Sequence, residues 1–425
     1  MSSHNDSTHL PPPLDLSCWA KVPKICMVVG GVLSLIGLVI GLIQALSNPH
    51  GRAPALAELG FSWLLAFIFF LSIALGSLFL VMVHHLTDAG WSVPIRRVCE
   101  HLASLLFPWL AIMFVPVLLL GKYVYQWMDV SNNLVTAKFP VFTLPGIWVT
   151  SAALFGVWWL LSSRLAYWSL RQDVTGAAQC TYKMRFHSGW GIVAFAITLT
   201  LASIFWVKAL QYQWYSCIYG VYFFASTTWV TLATIYVLTV ILQRQRILDR
   251  VLHDNQFYFL GVLFFGFTVF QAYTEFAQYF VVWNANMPIE TFYYLVRENG
   301  TWWWLSMILI FGHFLIPFFV MLPVSVKTNF KVIVPVCVSA WFLHGADLGF
   351  NIFPALHPDG YHFQWFWLPL GCLLLQGGFL AKIFLGKFQS HPPYPQKDPH
   401  VLQAMGIHFL DTGTTSPVPA TGGNQ

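Results

Sequence analysis

The chain has 425 residues, 57% of them hydrophobic and only 9% charged, and its mean hydropathy is +0.65. These values exclude an ordinary soluble globular chain and indicate a polytopic membrane protein. The formal net charge of +5 is spread over short connections with no soluble fold behind it. It therefore reads as an orientation signal and excludes a nucleic-acid-binding face.

Residues 1–24 read as a polar cytoplasmic tail: Met1 to Ala20 contains Pro11-Pro12-Pro13 and lacks the basic start of a secretory signal. Ten apolar runs follow, each long enough to cross roughly 30 Å of hydrocarbon at about 1.5 Å per residue. They cover 25–46, 61–85, 101–121, 144–165, 189–207, 217–242, 257–282, 301–322, 332–350 and 364–386. The expected fold is all-α: a ten-helix transmembrane domain over 25–386 and a cytoplasmic tail over 387–425.

The second run carries Ser72, Gly76 and Ser77, small residues at helical spacing that let another helix approach closely. Its end carries His84-His85. Adjacent histidines point about 100° apart, so they cannot serve one ion from one face, and a hydrogen-bonding role at the interface is expected. Pro108, Pro116 and Pro317 predict kinks, Trp302-Trp303-Trp304 an interfacial belt, and the connection from Tyr123 to Thr143 a docking surface for a partner. Aligning Ser62 with Ser216 superposes Phe69 on Phe223, Phe70 on Phe224, Ser72 on Ser226 and Val83 on Val237. That weak repeat predicts two four-helix bundles, from runs two to five and six to nine, plus two flanking helices.

With both termini on one side, Arg52, Lys122, Lys138, Lys208 and Arg297 fall on the other, leaving sixteen of the 21 Lys and Arg beside the termini. The asymmetry places both termini in the cytoplasm. The seventh to ninth runs then hold nearly every ionisable side chain at membrane depth: Glu275, His313, His344 and Asp347. Such groups face a partner or water, not lipid. His344 and Asp347 share a helix face, and Gln271, Glu275, Gln278 and Tyr279 follow the spacing of a stripe on another helix. The half-membrane placement fits a half-channel, and equally two helix ends dipping polar residues toward the interface.

The seven cysteines form no C-x-x-C pair and no haem-attachment motif, so neither a metal nor a covalently held haem is expected in this chain. Past Gly386 the segment from His391 to Pro399 and the Gly-, Pro- and Thr-rich end build no core of their own, and a partner is expected to order them.

Ala74-Leu75-Gly76-Ser77-Leu78 leading to His84-His85-Leu86-Thr87, then Gly90-Trp91 and Arg96-Arg97, resembles the second NrfD-like membrane subunit of alternative complex III (the ActF type). So does the closing Tyr394-Pro395-x-Lys397-Asp398-Pro399. The likeness covers nearly the whole chain apart from the tails. It implies a bacterial cytoplasmic (inner) membrane complex that oxidises quinol and passes electrons to cytochrome c or an oxidase. It further implies an NrfD-like sister subunit, an iron–sulfur subunit and a multihaem cytochrome c subunit as partners, with haem c, iron–sulfur clusters and quinone held there and no cofactor here. The ionisable groups found in runs two to five, His84, His85, His101, Lys122, Arg164 and Lys208, stand at the rims. That departs from a quinol-oxidising member, which needs a proton acceptor beside the quinol hydroxyls.

Three functions follow as expectations, none with a catalytic residue assigned in this chain. The first is a proton path through Glu275, His313, His344 and Asp347, linked by Gln278 and Tyr279. The second is a scaffold in which these groups tie helices together. The third is a quinone pocket at the outer rim between Trp63, Tyr123 and Tyr212.

Overall fold

The computed structural model describes residues 19–47, 54–128, 140, 142–248 and 251–405. These residues form helices and connections, with no strand among them. Ten helices are long and apolar enough to cross a membrane: α1 (Lys21–Ser47), α2 (Pro54–Leu86), α3 (Gly90–Leu119), α4 (Leu144–Thr175), α5 (Ala178–Gln211), α6 (Tyr219–Arg244), α7 (Asp254–Ala285), α8 (Gly300–Met321), α9 (Phe330–Ala355) and α10 (Phe363–Ser390). The chain is an integral multi-pass membrane protein of all-α fold, as the apolar runs require.

Neighbours pack in two closed rings. In the first, α2 touches α3, α3 touches α4, α4 touches α5, and α5 returns to α2; α6, α7, α8 and α9 close the second in the same way. The rings meet where α2 packs on α6 and α9, while α1 and α10 pair beside α2. This is the expected arrangement of two four-helix bundles with two flanking helices.

Small residues set the two closest approaches. A Cβ at Gly30 of α1 would lie 2.3 Å from the backbone nitrogen of Leu375 on α10. One at Gly76 of α2 would lie 2.1 Å from Thr231 Oγ1 and 2.8 Å from the Thr227 carbonyl on α6. Thr231 Oγ1 in turn donates to the carbonyl of Ser72 at 3.2 Å, so the small-residue stripe of α2 is the seam between the rings.

Two helices are interrupted at the expected prolines. In α3 a π turn spans Leu106–Leu110 around Pro108, and Phe107 leaves helical geometry (φ −138°, ψ 137°). In α8 a π segment, Leu309–Leu315, carries His313 and runs into Pro317, which has no N–H to continue the ladder. Of the three tryptophans opening α8, Trp303 and Trp304 are exposed as an interfacial belt requires. Trp302 is buried instead, its indole N–H donating to the His357 carbonyl at 2.8 Å and pinning the α9–α10 connection.

The predicted edges differ at the charged ends. α3 begins at Gly90 and α5 at Ala178, about ten residues before the apolar runs: Arg96 and Arg97 of α3 are paired with Glu100, Asp398 and Asp173, and Arg185 of α5 pairs with Asp88. The C-terminal segment differs too. Residues 391–405 fold back on the chain's own helices: Asp398 takes Arg96 Nη2 at 2.5 Å, Lys397 Nζ reaches the Val174 carbonyl at 2.6 Å, and Gln256 Nε2 the Ala404 carbonyl at 3.0 Å. The two motifs of the resemblance, Arg96-Arg97 and the stretch closing at Pro399, thus meet in space. Residues 1–18 of the tail predicted over 1–24, most of the loop from Tyr123 to Thr143, and 406–425 lie outside the described residues.

Candidate functional site

The two bundles have opposite interiors. Inside the first, Phe67, Phe114, Phe155 and Trp206 form a closed aromatic stack, with ring centres 5.0 Å apart for Phe67–Phe114 and 4.4 Å for Phe114–Trp206. The Trp158 and Trp206 indoles are satisfied by Thr198 (2.9 Å) and Ser151 (3.1 Å). The second bundle instead buries a carboxylate, two histidines and a set of hydroxyls.

Asp347, only 2% exposed, is the hub of that interior. Tyr222 donates to its Oδ1 at 2.5 Å, Ser226 to its Oδ2 at 3.2 Å, and Asn351 Nδ2 to Oδ1 at 3.2 Å. Tyr219, Tyr222 and Ser226 stand at i, i+3 and i+7 on α6, and His344, Asp347 and Asn351 at i, i+3 and i+7 on α9, so two facing stripes make the cluster. With its one proton on Asp347, Ser226 Oγ accepts from His344 Nδ1, 3.1 Å away. That fixes the His344 tautomer and leaves Nε2 as an acceptor, which finds no partner among the described residues.

His313 is buried under the Trp229 ring, centre to centre 3.9 Å, and its Nε2 is also unpartnered. It lies within electrostatic reach of His344. Gln271, fully buried, has neither amide atom satisfied. Glu275 makes no hydrogen bond among the described residues and lies within electrostatic reach of Asp347. One acid, two histidines and an amide with unused hydrogen-bonding capacity therefore share one bundle interior, with the half-buried Glu275 at its edge.

In the other direction the cluster continues through Asn351, whose Oδ1 accepts from Tyr293 at 3.1 Å. Tyr293 carries Arg297 over its ring at 3.5 Å, and Arg297 Nη1 reaches Gln211 Oε1 at 3.3 Å. Burial among these groups raises the Tyr293 phenol above its usual range. No family model matches the chain, and no curated protein matches it.

The predicted residues are thus partly united. His344 and Asp347 form the hub, with His313 and Gln271 in the same interior and Glu275 half-buried beside it. Gln278 sits apart from it, taking Ser216 at 3.2 Å and donating to Tyr294 at 3.1 Å. Tyr279 is exposed and donates to Glu298 at 3.2 Å. Sequence reasoning missed Tyr222, Ser226, Asn351, Tyr293 and the structural part of Arg297; the i+4 step from Asp347 to Asn351 was the one available signal.

Two further polar groups stand outside the second bundle. Glu58, buried near the start of α2, bonds His357, whose ring lies 4.3 Å from that of His362. At the opposite end Arg96, Arg97, Glu100, Asp173 and Asp398 form a continuous ion network. His84 and His85 beside it are buried and their side chains make no hydrogen bond among the described residues, because their rings pack into the protein, His84 edge-on to Trp91 at 5.4 Å. The expected interfacial bonding role is not what their surroundings provide. Among the pockets between the helices, one opens beside Trp127, Phe142, Ile147 and Phe205 and another beside Gln211, Trp214 and Tyr293. Neither is lined by Trp63, Tyr123 or Tyr212, and Trp63 spends its indole N–H on the Met113 carbonyl at 2.8 Å.

Proposed function

We propose that this chain is a membrane subunit of a bacterial respiratory quinol-oxidising electron-transfer complex and supplies a proton path through its second bundle, with no redox cofactor of its own. The observation that carries the proton path is Asp347: a buried carboxylate held by Tyr222, Ser226 and Asn351, with His344 one hydroxyl away and Glu275 nearby. A relay needs groups that both accept and release protons, and carboxylates and histidines do. The aromatic filling of the first bundle leaves no such path there.

Membership of such a complex rests on the resemblance of the Ala74–Leu78, His84–Thr87, Gly90-Trp91, Arg96-Arg97 and Tyr394–Pro399 stretches. The NrfD-like sister, iron–sulfur and multihaem cytochrome c subunits are the proposed partners, together with membrane lipid against the exposed apolar faces. The test is to purify the tagged chain from its native membrane. Haem c and iron–sulfur absorption should copurify with quinol oxidation, and the chain freed of partners should turn over nothing; quinol oxidation by the lone chain would contradict the proposal.

The proposed membrane is the bacterial cytoplasmic membrane, with both termini inside, on the Lys and Arg asymmetry. Reporter fusions at Arg171, Arg246 and Lys331 should read cytoplasm and a fusion at Asn299 the outer side. The reverse pattern would contradict the assigned orientation. A scaffold reading is favoured by one feature, the Arg96–Asp398 network, which ties helices together and moves nothing.

A further inference from the structure

α4 and α5 lie antiparallel along a close seam: Gln172 Nε2 donates to Thr181 Oγ1 at 2.8 Å, and a Cβ at Gly191 would lie 2.7 Å from Leu161 Cδ2. On one flank of that seam Arg164 of α4 and Lys183 of α5 are exposed, and the half-buried His187, one turn from Lys183, lies within electrostatic reach of both. Neither Arg164 nor Lys183 has an ion pair among the described residues. The acids near this pair of helices are spent on the opposite flank. Asp173, nine residues from Arg164 and so about 180° round the helix, holds Arg97, while Arg185, about 200° from Lys183, holds Asp88. Arg171, farther along the Arg164 stripe, is turned over the Trp168 ring at 5.2 Å and bonds the Tyr167 hydroxyl at 3.2 Å. Two free cations and an imidazole therefore share one groove that no described acid neutralises.

The depth of the groove says what kind of anion reaches it. Arg164 stands about 30 Å of helix from Leu144 at the start of α4, one hydrocarbon thickness, and so at the membrane surface. Towards the membrane centre the same flank becomes apolar: Leu160 stands at i−4 from Arg164, and Trp190 and Ile197 at i+3 and i+10 from His187. These three are 38%, 37% and 55% exposed. A free phosphate would use only the charged end of such a groove. A lipid uses both, with the head among cations and about 15 Å of acyl chain against the wall below.

We infer that the α4–α5 groove seats one anionic phospholipid, its phosphodiester held by Arg164, Lys183 and His187 and an acyl chain lying against Leu160, Trp190 and Ile197. Arginine and lysine beside a phosphate give charge-assisted hydrogen bonds that a zwitterionic lipid, carrying its own ammonium, engages less well. The inference rests on the helices spanning a membrane and on no part of the proton path.

Phosphatidylglycerol is the probe. Native mass spectra of the delipidated full chain should show a single phosphatidylglycerol retained at activation energies that strip phosphatidylcholine with the same acyl chains. Arg164→Gln and Lys183→Gln should each weaken phosphatidylglycerol binding by about fivefold, and together by more than either alone. Both side chains are exposed, so the variants should fold as wild type does. Lys331→Gln, which removes an equally exposed cation from the start of α9, should leave binding unchanged. In the assembled complex a photoreactive residue in place of Trp190 should crosslink to phospholipid. Equal retention of the two lipids, phosphatidylglycerol binding untouched in the double variant, its displacement by inorganic phosphate, or crosslinks from position 190 to a protein subunit would each overturn the site.

Discussion

Replacing Arg97 by leucine is expected to cost the folded protein on the order of 3–5 kcal/mol, enough to remove most of it from the membrane. Arg97 is buried and bonds Glu100 Oε2 at 2.8 Å with one arm while the other holds Asp173 of α4. Its removal leaves Asp173 and Glu100 short of a cation in an interior where Arg96 is already committed to Asp398 and Glu100. Arg97→Lys keeps the charge and loses the fork that serves two carboxylates, so it should fall between leucine and wild type. Arg171→Gln is the control: Arg171 is exposed and its guanidinium bonds Tyr167 and no other side chain among the described residues, so its loss should shift stability by no more than about 0.5 kcal/mol. Thermal unfolding of the purified variants, with membrane yield alongside, reads the order. Wild-type stability in Arg97→Leu would show that the network contributes nothing.

That network also marks where the sequence stopped being readable. The ten apolar runs were legible because about 20 residues without charge have few other uses. The starts of α3 and α5 were not, since a rule that stops at charges cannot know that Arg97 will meet Asp173, or Arg185 meet Asp88, from another part of the chain. The order in residues 391–405 was hidden for the same reason. Composition says that this segment has no core, and only the fold brings Asp398 to Arg96.

The site divides along the same line. His344 and Asp347 were visible because a charge and an imidazole three apart stand out in an apolar run. Tyr222 and Ser226 did not, because lone hydroxyls are ordinary in membrane helices and their role depends on facing α9. The stripe on α7 was drawn too wide. At about 100° per residue, Gln278 returns to within about 20° of Gln271, Glu275 lies about 40° away and Tyr279 about 80° away. Gln271 and Gln278 are accordingly buried, and Tyr279 is exposed.

The second large effect is expected at the hub. Asp347→Asn and Glu275→Gln keep size and hydrogen-bonding capacity and remove only the exchangeable acid, so assembly should stay near wild type. Proton transfer through the bundle should slow by about a hundredfold or more, the usual scale for losing a positioned acid–base group. Tyr222→Phe deletes the donor to Asp347 Oδ1 and leaves the acid, so a smaller defect is expected, with stability lowered by about 1–3 kcal/mol. His313→Phe should impair proton transfer too, with more damage to packing because its ring lies against Trp229.

A scaffold built from the same residues predicts the opposite split. If these groups only tie helices together, the amide variants are silent, while Asp347→Leu strands Tyr222, Ser226 and Asn351 and reduces the assembled complex. The deciding measurement is the proton-to-electron ratio of the complex in proteoliposomes carrying Asp347→Asn, with assembly verified on the same preparation. The proton-path account predicts a fully assembled complex whose ratio falls below wild type; a fully assembled complex with the wild-type ratio would contradict it.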